Sequence, residues 1–334
     1  MITTSPQPSW REIVLKYAQP EFRKSLWQII NTFIPYLALL FLMFLSLKVS
    51  YFLTLAISFI AAAFLVRLFI IFHDCGHGSF FKSSKLNDVV GIILGIITLT
   101  PYYKWHRNHK IHHATVGNLD KRGVGDVWVL TVDEFRDLPK WKRNFYRLYR
   151  NPVIMFLIGS PLIFIVLNRL TIKDLNRKER INVYFTNVML GLILTVAWLT
   201  IGIKTYLLIQ LPVIFIGSVA GVWLFYVQHQ YEGVNWYRQP EWDYKTVALN
   251  GSSFYQLPRV LQWFSGNIGF HHIHHLSPKI PNYKLEKCHH ENEIFFGIRP
   301  LTFWNSFKTI KLRLWNEQSG KLITFKELRA QSSR

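Results

Sequence analysis

Histidine is the residue type in this sequence whose spacing points to chemistry. Thirteen histidines occur, and most of them fall into three groups: HDCGH at 73–77, HRNHKIHH at 106–113 and HHIHH at 271–275. Residues three or four positions apart share one face of a helix, so each group can aim two or three imidazoles at one point. Imidazole nitrogen is a common metal ligand. The grouping therefore predicts a metal site.

The number of histidines favours two metal ions over one. One zinc ion takes about four ligands, whereas nine histidines here stand where helices can turn them toward a shared centre. His229, which follows an apolar run, would on its own more often be a hydrogen-bonded residue than a ligand. Imidazoles suit zinc, copper, iron and nickel, so the ligand type leaves the metal open. Two cations held by neutral imidazoles keep a high net charge and can bind and reduce dioxygen.

Six apolar runs must position these histidines: 25–47, 49–72, 89–101, 152–168, 183–203 and 205–227. A helix of about 20 apolar residues crosses the hydrocarbon core. Little more than Lys48 joins the first two runs, and little more than Lys204 joins the last two, which predicts two antiparallel hairpins. The run at 89–101 is short for a span, and Gly159 and Pro161 can bend the run at 152–168.

Charge decides on which side the loops lie. The loop 169–180 contains five Lys and Arg residues, which places it in the cytoplasm by the positive-inside rule. The run at 152–168 then enters and leaves on one side. We predict an all-α integral membrane helical bundle of about four spanning helices plus two re-entrant or interfacial segments. A cytoplasmic helical cap holds the histidine site, and six full crossings stay open as an alternative.

Three regions follow from this topology: a cytoplasmic N-terminal segment at 1–24, a membrane-embedded domain with its cap at 25–300, and a C-terminal interfacial helix and tail at 301–334. The stretch Thr302–Trp315 puts apolar residues on one side among Lys and Arg. That pattern suits a helix on the membrane surface and equally a helix packed on the cap.

Composition supports a membrane protein with its active site on the cytoplasmic side of the cell membrane. Hydrophobic residues make up 50% of the chain and the formal net charge is +20. No basic patch separates from the apolar runs, which argues against nucleic-acid binding; Lys and Arg instead mark cytoplasmic loops and contact with anionic lipid. Cys75 and Cys288 are the two cysteines, and Cys75 lies between two histidines, which favours a reducing compartment.

The three histidine groups, in this order and with these gaps, resemble the histidine boxes of the membrane fatty-acid desaturase family. The similarity runs from about residue 61 to residue 283. Stretches such as NLDKRG at 118–123 and GNIGFHHIHHLSPKIPNY at 266–283 look like the acyl-lipid desaturases of bacilli. The resemblance implies insertion of a cis double bond into the acyl chain of a membrane lipid, with dioxygen and two electrons consumed. The lineage resembles delta-5 enzymes, which serve membrane fluidity.

Carried onto this sequence, the resemblance implies two iron ions and nine histidine ligands. These are His73, His77, His109, His112, His113, His229, His271, His274 and His275. His106 and His272 are either supporting residues or replacements for a neighbouring ligand, and we expect His289 and His290 at the surface. Candidates to orient an imidazole through its second nitrogen are Asp74, Asp120, Asp126, Glu232 and Asn267. Candidate substrate contacts are Trp105, Lys121, Arg122 and Trp263.

The resemblance also implies partners. The acyl chains of membrane phospholipids are the substrate, dioxygen is the oxidant, and a separate carrier supplies the electrons. An acidic ferredoxin or flavodoxin would suit the basic cytoplasmic face, because opposite charges accelerate encounter. Two alternatives remain: a di-iron lipid or carotenoid hydroxylase or ketolase, which uses the same boxes, and a membrane metal transporter. Transporters usually carry polar ligands inside the spans, whereas these boxes lie at the ends of the apolar runs.

Overall fold

The computed structural model describes residues 9–332, so residues 1–8 of the predicted N-terminal segment lie outside the described part. Sixteen α-helices and five short strands form the regular structure there. The helices are α1 Trp10–Leu15, α2 Phe22–Ser46, α3 Tyr51–His77, α4 Ser84–Ile97, α5 Tyr102–Thr115, α6 Val132–Asp137, α7 Lys140–Tyr149, α8 Ser160–Ile165, α9 Arg177–Thr200, α10 Ile203–His229, α11 Tyr244–Asn250, α12 Arg259–Phe264, α13 His271–Leu276, α14 Asn282–His290, α15 Phe303–Ser306 and α16 Phe325–Ser332. The strands are β1 Leu130–Thr131, β2 Phe254–Gln256, β3 Pro300–Thr302, β4 Leu314–Asn316 and β5 Lys321–Ile323.

Four helices, α2, α3, α9 and α10, are long and apolar enough to cross a membrane. They form the two predicted hairpins, α2 with α3 and α9 with α10, and the second hairpin turns at Gly202 with a φ of +81°. Apolar side chains such as Phe52 and Trp198 point outward from them, 84% and 64% exposed. A hydrocarbon environment removes this apolar surface from water, which is favourable. The prediction of a mostly helical membrane bundle with about four spanning helices is confirmed; if each of two bent helix pairs also counts as a span, the number is six.

Two bent helix pairs stand at the positions of the two shorter apolar runs. The pair α4 and α5 is bent by 103°, and α7 is bent by 62° against the segment Val153–Arg169. The bend predicted at Gly159 and Pro161 is wrong, because the chain there continues from a π-helical segment, Val153–Gly159, directly into α8. The break precedes Pro152 instead, since a proline disfavours helical backbone in the residue before it.

The ends of α3 and α10 that carry histidines lie on one side of the bundle. Both ends meet the same helix α13: the ring of His73 lies 4.5 Å from that of His274, and the ring of His229 lies 4.8 Å from that of His271. Because α2 and α9 run antiparallel to their partners, their basic first turns lie on this side too. The segments 102–150 and 230–332 pack over these helix ends, and we call them the cap. The N-terminal helix α1 packs against the cap through Ile13 and Val14.

Short strands hold the cap together. Strand β4 pairs in parallel with β1 and antiparallel with β5, and β2 pairs in parallel with β3. The continuous helix predicted for Thr302–Trp315 is therefore wrong. Only four residues of it form α15, a 3-10 helix follows, and Leu314 and Trp315 are buried in β4. Pairing with β1 satisfies the backbone of this segment and buries both side chains, which a surface helix would leave exposed.

Candidate metal centre

The nine histidines form two clusters where the cap meets α3 and α10. The first cluster contains His73, His77, His109, His113 and His274, and the second contains His112, His229, His271 and His275. Within each cluster the candidate ligand nitrogens all lie within 4.8 Å of one another. The clusters adjoin, since the rings of His113 and His275 stack at 4.1 Å. No Cys, Asp or Glu of the described residues belongs to either group.

Nitrogen–nitrogen distances indicate what the clusters can hold. In the first cluster the Nε2 atoms of His73 and His109 are 3.0 Å apart, and those of His113 and His274 are also 3.0 Å apart. In the second, the Nε2 atoms of His229 and His271 are 3.0 Å apart. Two ligands at right angles around a metal, each with a bond of about 2.1 Å, would be about 3.0 Å apart. The imidazoles are thus spaced as ligands around one ion per cluster.

Boxes two and three each serve both clusters. His109 and His113 face the first cluster, whereas His112, between them in sequence, faces the second. In the third box His274 joins the first cluster, while its neighbour His275 joins the second. The expectation that the histidines of each box converge on one point is therefore wrong for these two boxes, because neighbouring positions on a helix lie about 100° apart. The first box, with residues four apart, does converge.

Carboxylates orient one imidazole in each cluster. Asp126 Oδ1 accepts a hydrogen bond from Nδ1 of His112 at 2.6 Å, and Asp74 Oδ1 lies 3.2 Å from Nδ1 of His73. Asp74 is held by Asn282, whose backbone N and side-chain Nδ2 donate to Oδ2 at 2.7 and 2.9 Å. Such bonds fix the proton on Nδ1 and leave Nε2 free to bind a metal. Sequence reasoning anticipated both aspartates but missed Asn282.

Backbone geometry supports the second cluster. The carbonyl oxygen of Gly251 lies 3.2 Å from Nδ1 of His229. Gly125, with a φ of +74°, brings the loop that carries Asp126 against α5, where an added Cβ would lie 3.2 Å from Cβ of His112. A side chain at this position would be strained and crowded. Glycine at position 125 therefore allows the loop to lie close to His112.

The remaining orienting candidates do not contact an imidazole of the clusters. Asp120 accepts hydrogen bonds from Arg238 and from the backbone N of Gln239. Asn267 has a φ of +58° and donates from Nδ2 to the carbonyl oxygen of Asn282. Glu232 is exposed in the loop after α10. These three side chains sit in the cap beside the site rather than at a ligand.

Two further histidines pair outside the clusters. His272 Nε2 lies 3.2 Å from Nδ1 of His289, and both residues are buried. The expectation that His289 is a surface residue is wrong, whereas His290 is exposed as expected. Burial and the nearby His289 lower the pKa of His272 to about 3, and burial lowers the pKa of His289 to about 4. His106 lies on α5 outside both clusters, with its ring 6.2 Å from that of Tyr102.

The four candidate substrate contacts occupy different surroundings. Trp105 stacks on His109, with ring centroids 4.4 Å apart, and packs against the first cluster. Trp263 lies on α12 under the guanidinium of Arg67, 3.9 Å from the ring centroid. Arg122 pairs with Glu134, and Lys121 is exposed in the same turn. Of the four, Trp105 is the one in contact with a cluster.

The donor set fits metal ions that prefer imidazole. Nε2 of His77 is buried and makes no hydrogen bond with any described residue, although it lies in the first cluster. Burial, together with neighbouring imidazoles, holds the pKa of His113 and His274 well below the usual histidine value. Both rings therefore stay neutral and keep a lone pair for a metal. Fold and site together define a multi-pass membrane protein with two histidine clusters able to hold metal ions.

The chain is similar in sequence to known proteins. The family model of the fatty acid desaturase matches residues 49–305. A fatty acid desaturase of Bacillus subtilis (strain 168) is 48% identical over 95% of this chain and 90% of its own length. The endoplasmic-reticulum omega-3 fatty acid desaturase of Vigna radiata var. radiata is 32% identical over 65% of this chain and 59% of its own length. An sn-1 acyl-lipid omega-3 desaturase (ferredoxin) of Nostoc sp. (strain 36) is 28% identical over 75% of this chain and 69% of its own.

The chain belongs to the fatty acid desaturase family. The matched region contains all nine clustered histidines and three of the four candidate membrane spans, α3, α9 and α10, whereas α2 precedes it. Membership makes the protein an oxidoreductase that acts on fatty acids, and similar proteins include acyl-lipid desaturases.

Proposed function

We propose that the protein inserts a cis double bond into the acyl chain of a membrane phospholipid, with two iron ions held by the nine clustered histidines. The observation that carries the proposal is the pair of imidazole clusters at the ends of membrane helices. An acyl chain in the bilayer can approach such a site without crossing water. We further propose that the site faces the cytoplasm, because the basic first turns of α2 and α9 lie on the same side.

The reaction needs an oxidant and electrons. Two adjacent CH2 groups each lose one hydrogen atom, dioxygen gains these two atoms with two further electrons and two protons, and two water molecules form. No side chain is basic enough to remove a proton from an unactivated methylene. Iron bound at the clusters supplies the activation of dioxygen, and the protein supplies binding, orientation and exclusion of water.

The chain's own residues have three tasks in this proposal. The imidazoles hold the metals, and Asp74 and Asp126 fix the tautomers of His73 and His112. Trp105 packs on His109 and closes the apolar side of the first cluster, where an acyl chain would lie. Burial of the clusters keeps bulk water from the reacting carbons, which strengthens every electrostatic interaction at the site.

The electrons come from a separate carrier in this proposal. Two relatives, from Nostoc and Synechocystis, have ferredoxin in their names. The net charge of +20 favours an acidic carrier such as ferredoxin or flavodoxin, because opposite charges raise the association rate. The proposed position of the double bond is the fifth carbon, and the proposed role is the maintenance of membrane fluidity.

The proposal can be tested by fatty-acid analysis of cells that lack their own unsaturated lipids. The protein is expressed there, and double bonds are located by mass spectrometry of dimethyl disulfide adducts. We expect a new cis double bond, lost in His112→Ala and His229→Ala and retained in the exposed control His290→Ala. Hydroxylated products would favour the hydroxylase alternative, and unchanged lipids would contradict the reaction. A double bond at another carbon would contradict the delta-5 position alone.

Iron content tests the metal separately. The purified protein should carry two iron ions per chain, and His229→Ala should lower the content of the second cluster. A wild-type chain with zinc at both sites, or with one metal ion in total, would contradict a di-iron enzyme.

A further inference from the structure

Helix α7, the first half of the second bent helix pair, exposes a row of apolar side chains outside the four long candidate membrane spans. Trp141, Phe145 and Leu148 are 67%, 56% and 54% exposed. They stand four and three residues apart, so they lie along one face of the helix. Three large side chains in such a row form a contiguous apolar stripe, which soluble surfaces rarely present to water.

The opposite part of α7 is fixed to the cap. Tyr146 is completely buried, and its hydroxyl donates to the carbonyl oxygen of Arg313 at 2.6 Å. Arg150, just after the helix, is also completely buried and donates to the carbonyl oxygen of Trp128 and to Oε1 of Gln230, each at 3.1 Å. These contacts hold the helix in one rotation. The apolar stripe therefore faces away from the cap, and the helix cannot rotate to bury it there.

The segment that follows α7 is also apolar on its outer surface, and together with α7 it is apolar enough for a membrane segment. After the 62° bend, Val153–Arg169 carries outward-facing apolar side chains, with Val153 55% and Ile158 54% exposed. Basic residues flank the stripe: Lys140 and Lys142 are exposed, neither forms an ion pair with a described residue, and the Lys142 ammonium lies 5.4 Å from the ring centroid of Trp141. An apolar face flanked by lysines matches the boundary between acyl chains and anionic headgroups.

We infer that α7 lies in the headgroup region of the leaflet on the histidine side, with its apolar stripe in the acyl chains and its lysines on anionic phosphates. Because Arg150 joins the end of α7 to Gln230, next to His229, the second histidine cluster is tied to the depth of α7. The position of the headgroups therefore sets how deep the second histidine cluster lies relative to the membrane surface.

Spin-label accessibility in lipid nanodiscs tests the position of α7. A nitroxide is attached to Phe145→Cys and, as the matched control, to Arg147→Cys, which is exposed and lies about 200° around the helix. Both native cysteines are buried, which favours labelling at the introduced site. We expect the Phe145 label to collide with dioxygen several-fold more than with a water-soluble nickel complex, and the Arg147 label to show the reverse.

Two results would overturn the inference. Equal access of the nickel complex to both labels would place the stripe in water. Low access of both reagents to the Phe145 label would mean that protein, such as a second copy of this chain, covers the stripe. The lysines are tested by adding phosphatidylglycerol to neutral nanodiscs, which should move the Phe145 label deeper in the wild-type background and less so with Lys140→Gln and Lys142→Gln. An unchanged depth would contradict the pairing with anionic headgroups.

Discussion

Replacement of Asp126 by asparagine should weaken metal binding at the second histidine cluster while leaving the first cluster loaded. The Asp126 carboxylate accepts the Nδ1 proton of His112 at 2.6 Å, and the imidazole is completely buried. Asparagine has nearly the same size, but its amide can present an N–H to the ring. That favours the other tautomer, with the proton on Nε2, where the metal should bind.

The size of the effect follows from this contact. A hydrogen bond to a charged group contributes about 1.5–3 kcal/mol. Since about 1.4 kcal/mol corresponds to a tenfold change in affinity, the expected loss is about 10- to 100-fold. Substitution of groups that orient metal ligands typically has an effect of this size. The first cluster should change little, because Asp74 and not Asp126 contacts its imidazoles.

Metal content after equilibration against buffered iron measures the loss. At an iron activity where the wild type holds two ions per chain, Asp126→Asn should hold close to one, and higher iron should restore the second. Asp120→Asn is the matched control, because Asp120 lies in the same loop and pairs with Arg238 at 2.6 Å without touching an imidazole. If Asp126→Asn retained both ions with wild-type affinity, the assigned role of this carboxylate would be refuted.

Three other perturbations have definite expected outcomes. Gly91→Ala should lower the melting temperature in detergent, because the added Cβ would lie 2.2 Å from the Tyr102 ring and overpacking costs about 1–3 kcal/mol. Gly191→Ala is the control and should leave the melting temperature unchanged, because a Cβ added there has no atom within 4 Å. Chelation of the metals should also lower the melting temperature, since ions that bind the folded state stabilise it, and zinc should restore the melting temperature without restoring desaturation. Finally, the folded pKa of His289, about 4, lies below its ordinary value of 6.5. As the pH falls, the unfolded chain therefore takes up this proton before the folded chain does, and the free energy of unfolding decreases below pH 6.5. His289→Phe should reduce the decrease in the free energy of unfolding between pH 7 and pH 5.

The membrane helices could be predicted from the sequence because their signal is local. Each long apolar run must satisfy its own backbone hydrogen bonds in hydrocarbon, and a helix is the structure that does so within one segment. The tight connections at Lys48 and Lys204 then fix the hairpins. The bend after α7 was misplaced because Gly159 and Pro161 permit a bend but do not require one, whereas the backbone before Pro152 is disfavoured from continuing a helix.

Features that depend on distant partners could not be predicted in this way. His289 stands among charged neighbours, as surface residues do, yet it is buried against Phe254 and His272 from other segments. Leu314 has a helical pattern around it but pairs with Leu130 of β1. In both cases the long-range contact offers burial that the local pattern does not reveal, and a single sequence gives no sign of which segments meet.

The spacing of the histidines predicts which of them share a helix face, but it does not predict how each box divides between the two clusters. In HxxHH the first and last histidines are four apart and share a cluster, and the histidine at the fourth position faces the other cluster. The second box gives its pair to the first cluster, whereas the third box gives its pair, His271 and His275, to the second cluster. The second box thus gives two histidines to the first cluster and one to the second, and the third box gives one to the first cluster and two to the second. Each box therefore connects both clusters through one helix turn. His73 and His77 add a further pair to the first cluster, and His229 alone completes the second, which leaves five imidazoles against four. With equal coordination numbers, an ion in the second cluster would keep one more position for a ligand that the protein does not supply.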